Sequence, residues 1–312
     1  MRAAVKPRQI LLSKRANVFY LDHVKVLVKD DRVVYLTEEG DIGRFYNIPE
    51  RNTIFILLGK GSSLTDAAAR RLADSNIVVG FVGNGGSPLF SSVDYVFLTP
   101  QSEYRPTEYM QAWMRMWLDE DKRLSVAKIF FETRLRWTLQ SWSSLSFLKM
   151  RNVVLSEPEI GYSLRKAETA SDTGHLLSIE AEWAKNLYGK LARGFDLSDF
   201  TRNEGQGRRE SLSDRANSYL DHGNYIAYGY AASALNVLGI SYALPVMHGK
   251  TRRGALVFDV ADLYKDAFVL PSAFQAATSG ERNQDFRDDL IDFFQSKMVL
   301  DDIIETIKKV VS

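Results

Sequence analysis

Cysteine is absent from the 312 residues, which removes disulfides, thiolate nucleophiles, zinc ribbons and iron–sulfur clusters and suits a reducing, cytoplasmic setting. No apolar run approaches the roughly 18–20 residues of a membrane span. The opening MRAAVKPRQILLSKRAN lacks the apolar stretch of a secretory signal, so no membrane association is expected. Charge of one sign is missing too. The chain has 40 basic and 39 acidic residues, a net of +1, which argues against coating nucleic acid by bulk charge. Residues 281–312 carry eight acids against five bases, so the remainder is mildly basic and a local basic surface is allowed. The 45% hydrophobic content is that of an ordinary globular chain. At roughly 100–200 residues per domain, two domains are expected.

What is present divides near residue 100. VFYLDHVKVLVKDDRVVYLTEE has short β-branched and aromatic runs broken by Asp30-Asp31, a turn signal. NTIFILLG is a compact apolar strand, and SLTDAAARRLADSN predicts a short helix capped by Ser63 with Leu64, Ala68 and Leu72 on one face. NIVVGFVGNGG predicts a buried strand and YVFLTPQ a last extended piece. Beyond Pro106, apolar residues recur at helical spacing, with Met110, Trp113, Trp117 and Leu124 on one face. Breaks are expected at Glu157-Pro158, Leu244-Pro245 and Leu270-Pro271, and RNEGQGRRES (202–211) reads as an exposed, mobile loop. The fold class is α+β: a β-rich domain with one or two helices over 1–100, then a larger, mostly α-helical domain over 101–312.

Glycine motifs do not carry the chemistry. His248-Gly249-Lys250-Thr251 ends like a phosphate-binding loop, but Leu244 stands where that motif needs glycine. The acids say more. In HLLSIEAEWAKNLYGKLA the apolar stripe runs Leu176, Ile179, Trp183, Leu187 and Leu191. Glu180 shares that inward face, whereas Glu182 is rotated toward water. An inward carboxylate is costly without a partner, either an Arg or Lys or a metal ion. In FDVADLYKD, Asp259 and Asp262 share a face if a helix begins near 259, although acids also favour a helix's first turn for its dipole. Together with His248 these carboxylates, in a chain without cysteine, suit a hard divalent ion, Mg²⁺ or Mn²⁺. Lys250, Arg252 and Arg253 lie beside the cluster in sequence, where a phosphate backbone would need neutralising. Anionic side chains converging on one point repel one another without a cation, so the bare site is expected to be electrostatically strained.

Three stretches, HGKTRRGALVFDVADLYKD, DHGNYIAYGYAASALNVLGI and LTPQSEYRPTEY, resemble the CRISPR adaptation integrase family. LLSKRANVFYLDHVKVLV, YNIP and LLGKGSSLT are similar to its type I-F branch. The resemblance spans nearly the whole chain. It implies a β-rich dimerisation domain before a helical catalytic domain. It further implies metal ligands at Glu180, His248 and Asp262, with Asp259 beside them as part of the catalytic group. Tyr188, eight residues after Glu180, matches the same pattern. Lys250, Arg252 and Arg253 would hold DNA phosphates, and Asn217 and Tyr228 would support the active site or strand ends.

The implied activity is metal-dependent spacer acquisition, in which the 3′-hydroxyl ends of a prespacer are joined to the repeat of a CRISPR array. The implied partners are DNA, a second copy of the chain, and a second adaptation protein that in type I-F is fused to a nuclease-helicase. Two other readings stay open: a stand-alone metal-dependent, structure-selective DNA nuclease in repair, and a non-catalytic DNA-binding scaffold.

Overall fold

Thr53–Leu58 (β5) is buried along its whole length, as befits a central parallel strand covered on both faces. It lies between β1 (Asn17–Leu21) and β7 (Val78–Phe81), and all three run parallel. Side chains alternate across it. Ile56 and Leu58 face one small core with Val26, Val33, Ala68 and Val79, while Phe55 and Leu57 face the main core shared with the helices. The described residues, in a computed structural model, are 10–11, 14–39, 42–82, 107–197, 199–203, 211–248 and 254–311.

A second sheet has the order β4-β3-β2-β6, built from β2 (Val24–Lys29), β3 (Arg32–Glu39), β4 (Ile42–Asn47) and the two-residue β6 (Ser63–Leu64). Asp30 and Asp31 turn β2 into β3 with φ of 49° and 58°, the left-handed pair of a tight hairpin that aspartate tolerates better than most residues. Helix α1 (Asp66–Asp74) buries Ala68 and Leu72, as the pattern predicts, but its cap is Thr65. Ser63 is instead taken into the sheet beside Lys25.

The rest is helical: α2 (Glu108–Trp117), α3 (Glu120–Ser144), α4 (Ser146–Met150), α5 (Glu157–Glu168), α6 (Thr173–Gly194), α7 (Leu212–Val237), α8 (Ala255–Tyr264), α9 (Leu270–Ser279), α10 (Asn283–Ser296) and α11 (Val299–Val311). This is the α+β class read from the sequence, a sheet region followed by a mostly helical one. Among the described residues no helix is long and apolar enough to cross a membrane. Helix α7 is buried nearly all round and receives the first sheet. Gly229 makes that approach possible, because a Cβ there would lie 2.4 Å from the Phe55 ring.

Pro158 does not interrupt a helix. It sits in the first turn of α5, behind a capping box of Ser156 and Glu159. The chain is non-helical over 151–156, so the expected break falls just before Glu157-Pro158, whereas the expected break at Leu270-Pro271 is absent. The chain stays helical from 255 to 279 through a π-helical segment, Lys265–Val269. Pro271 has no N–H for the carbonyl of Ala267 four residues back, and Ser141 of α3 donates its hydroxyl to that oxygen at 2.7 Å. Trp142 likewise donates its indole N–H to the Asp266 carbonyl at 2.9 Å. Two side chains thus replace helical donors. The expected extended piece at 95–101 and most of the 202–211 loop lie outside the described residues.

Candidate metal centre

Helix α6 buries the stripe Leu176, Ile179, Trp183, Leu187 and Leu191. Its register separates the two glutamates. The Glu180 side chain is 14% exposed and pairs with Arg134, whereas Glu182 is 57% exposed and pairs with Lys166 on the surface.

Helix α8 starts at Ala255, so Asp259 and Asp262 lie beyond its first turn and the helix dipole does not explain their burial. Asp259 accepts the backbone N–H groups of Val246, Met247 and His248 at 2.7, 3.1 and 2.9 Å. It also meets His248 Nδ1 at 2.6 Å. A carboxylate surrounded by three N–H donors is an acceptor, so Nδ1 carries the proton and Nε2 is left to face the site. Trp113 and Trp117 hold the same loop by donating to the carbonyls of Leu244 and Pro245 at 3.0 and 2.6 Å.

Glu180, His248 and Asp262 converge so that one ligating atom from each lies within 4.8 Å of the others. His248 Nε2 is 3.7 Å from Asp262 Oδ2. A six-coordinate Mg²⁺ with ligands about 2.1 Å away separates its donors by roughly 3–4 Å, so the three groups fit such an ion after a closure of under about 1 Å. One imidazole and two carboxylates are a hard-cation donor set.

Two cations that the sequence reading missed are built into the site. Arg134 of α3 is buried and forked on Asp266 at 2.6 and 3.1 Å, and it reaches Glu180 at 2.5 Å. Trp183 donates to the same Asp266 carboxylate at 2.9 Å. Lys265 contacts Asp262 and points at the Tyr228 hydroxyl. The bare site is therefore not the uncompensated cluster of anions expected from the sequence. Burial disfavours the Asp262 carboxylate, but Lys265, Arg134 and His248 outweigh it and hold the group below the usual carboxylate range. Burial also disfavours a charged His248, yet the Asp259 hydrogen bond and the surrounding carboxylates raise it above the ordinary imidazole value. Glu180, Asp259, Asp262 and Asp266 against Arg134 and Lys265 leave two negative charges over. That excess matches one divalent ion.

One continuous helical run carries four of these charged groups. Asp259, Asp262 and Lys265–Asp266 follow one another at three- to four-residue spacing on one helix face. The motif DxxDxxKD was present in the sequence, but only its first half suggested chemistry. Arg134 had no local signal: it lies in an alternating charged segment and looks like surface.

A cleft of about 210 Å³ opens on the site, lined among others by Glu180, Tyr188, Arg202, Tyr228, Asp262 and Lys265. Tyr228 packs edge-on to Phe258, with centroids 4.7 Å apart. Asn217 does not line the cleft. It is buried, accepts from Arg202 and the Asn203 N–H, and donates to the carbonyls of Thr201 and Ser213. Its amide positions Arg202, which does line the cleft and pairs with Asp221. Lys250, Arg252 and Arg253 lie outside the described residues.

Fold and site together define an α+β protein whose helical region gathers a histidine and two carboxylates in a charged cleft. The family profile of the CRISPR associated protein Cas1 matches residues 19–309, and the chain belongs to that family. It is 46% identical over 311 residues to the CRISPR-associated endonuclease Cas1 of Pseudomonas aeruginosa, covering 97% of this chain and 95% of that one. Among solved structures it is similar to a TtCas1–DNA complex, with TM-score 0.67 and 22% identity over 94% of this chain and 91% of that one. It is also similar to a casposase bound to its integration product, with TM-score 0.67 and 19% identity over 90% and 82%.

Proposed function

We propose that this protein is a metal-dependent DNA endonuclease and integrase that joins prespacer 3′-hydroxyl ends to the repeat of a CRISPR array. The observation that carries the reading is the convergence of Glu180, His248 and Asp262 within 4.8 Å in a chain of this family. The naming of the Pseudomonas relative as an endonuclease and the integration product held by the casposase support it. The TtCas1–DNA complex supports DNA as the substrate.

Glu180, His248 and Asp262 would hold Mg²⁺ or Mn²⁺, which when bound supplies Lewis-acid stabilisation of charge at the scissile phosphate. The protein's own part is positioning and electrostatics, because joining exchanges one phosphodiester for another. Asp259 orients the imidazole. Arg134 fixes Glu180 and Asp266. Lys265 lines the cleft beside Asp262, where a phosphate oxygen would meet it, and Tyr228 packs alongside. Lys250, Arg252 and Arg253 would neutralise backbone phosphates further along the DNA, with Arg202, steadied by Asn217, as another cation in the cleft. Insertion on both strands needs two such sites in fixed geometry, so the working unit is a homodimer. In this reading residues 1–100 serve dimerisation and 101–312 catalysis, with a second adaptation protein completing the complex.

The test is incubation with prespacer DNA and a supercoiled array plasmid in Mn²⁺, with and without the second adaptation protein. Joined product supports the integrase. Cleavage alone would make the chain a structure-selective nuclease, and binding with neither would leave a scaffold.

A further inference from the structure

His248 separates two cavities. One face belongs to the cleft just described. On the other side lies a larger cavity of about 560 Å³, lined by Trp117, Arg123, Leu177, Val246, Met247 and His248 itself. The Trp117 indole is fixed, since its N–H is spent on the Pro245 carbonyl at 2.6 Å. The Arg123 guanidinium lies 5.5 Å from that ring's centroid and donates to the Trp117 carbonyl at 3.3 Å. Leu177, Val246 and Met247 supply apolar walls. A fixed aromatic ring, a planar cation and apolar walls form a stacking site for a flat heteroaromatic group. Of these side chains the metal centre uses His248 and, through the bond that holds its loop, Trp117; Arg123 and Leu177 have no part in it.

We infer that this cavity receives one unpaired nucleobase of the DNA strand bound at the metal centre, an inference that rests on the nuclease–integrase reading above. Continuity decides the occupant. The cavity and the phosphate-binding cleft share the His248 wall, so a strand with a phosphate at the metal centre has its neighbouring base within one nucleotide of the opening. A base inside a duplex cannot reach a side pocket, whereas one at a nick, branch or free end is extruded at lower cost. Occupancy would favour branched and end-containing DNA over uninterrupted duplex, and it would press the base against the ring that ligates the metal.

The experiment compares branched DNA that is intact with the same DNA lacking the base on either side of the branch phosphate. Affinity is measured by fluorescence anisotropy without divalent ion, so that no strand is cut. Wild type should bind one of the two abasic DNAs about tenfold more weakly than intact DNA, the loss of one base–aromatic stack. Leu177→Trp, which fills the cavity, should bind intact and abasic DNA alike. Trp117→Phe, which keeps a ring but not the N–H bond to Pro245, should retain the discrimination. If Leu177→Trp fails to fold, Arg123→Ala takes its place by removing one wall of the cavity, and should at least halve the discrimination. Equal binding of intact and abasic DNA by wild type would overturn the inference, as would full discrimination by a folded Leu177→Trp. Cleavage by wild type in Mn²⁺ is scored in parallel. Cutting without base discrimination sinks the pocket alone, whereas failure to cut or join any DNA sinks the functional reading.

Discussion

Asp259 and His248 are joined twice, through the ring Nδ1 at 2.6 Å and the backbone N–H at 2.9 Å. In the proposed reading the aspartate therefore serves as a template for the loop rather than as a metal ligand. Asp259→Ala is expected to weaken Mn²⁺ binding by about 10–100-fold, as loss of a partner behind a ligating histidine generally does. Asp259→Asn, whose amide oxygen still accepts, should lose less. Isothermal titration of the metal checks both, and an unchanged affinity in Asp259→Ala would mean that the loop needs no template.

Arg134 holds two buried carboxylates, so Arg134→Ala should destabilise the protein by about 3–5 kcal/mol in urea unfolding, the cost of stranding buried charge. Arg134→Lys keeps the charge without the fork and should recover only part of this. Glu180→Ala leaves Arg134 still forked on Asp266, so the fold should survive with activity abolished. Glu182→Ala removes a surface pair and should leave melting temperature and activity unchanged. Loss of activity in Glu182→Ala with retention in Glu180→Ala would mean that the register of α6 is misassigned.

Mn²⁺ should raise the melting temperature of the wild type, since an ion bound only by the folded state stabilises it by about 2.7 kcal/mol at a hundred times its Kd. Glu180→Ala, His248→Ala and Asp262→Ala should each lose that rise. A ligating imidazole must be free of its Nε2 proton, so proton and metal compete and affinity should fall as pH is lowered. Metal affinity that is flat across the mildly acid range would remove His248 from the ligand set.

Burial pushes the phenols of Tyr20, Tyr230 and Tyr264 above their ordinary value. In the unfolded chain they ionise near pH 10. A raised folded value means that their contribution to stability is complete below that pH and is lost as pH rises through the folded values. The urea midpoint should therefore fall steeply in alkali, with these phenolates absorbing only as the protein unfolds. Titration of every tyrosine near pH 10 with the fold intact would contradict their burial.

Much of this was legible in the sequence where one element decides its own fate. The α6 stripe places Glu180 inward and Glu182 outward from spacing alone, and Asp30-Asp31 announces its own hairpin. Elsewhere the decision lies in a distant segment. Thr133, Arg134, Thr138 and Ser141 are buried polar residues of α3, and only the helix packed against them tells them from a solvated face. Pro271 reads as a helix end because the donor replacing its N–H belongs to Ser141, 126 residues from the carbonyl it satisfies. Ser63 and Thr65 are equivalent as caps until the pairing of β6 with β2 claims the first.

The π-helical segment has one more consequence. A π turn holds one residue more than the α turn it replaces, and one residue rotates a helix by about 100°. Lys265–Val269 therefore works as a phase shifter. Upstream of it the inward face carries acids, and downstream, in α9, it carries Ala273, Phe274 and Ala277, all buried. A single uninterrupted rod thus changes from chemistry to packing without a loop, and no joint is left to flex between ligand and scaffold. Deleting one residue from the segment would put the two halves out of phase, so either the acids or the aromatic ring would have to face the wrong way.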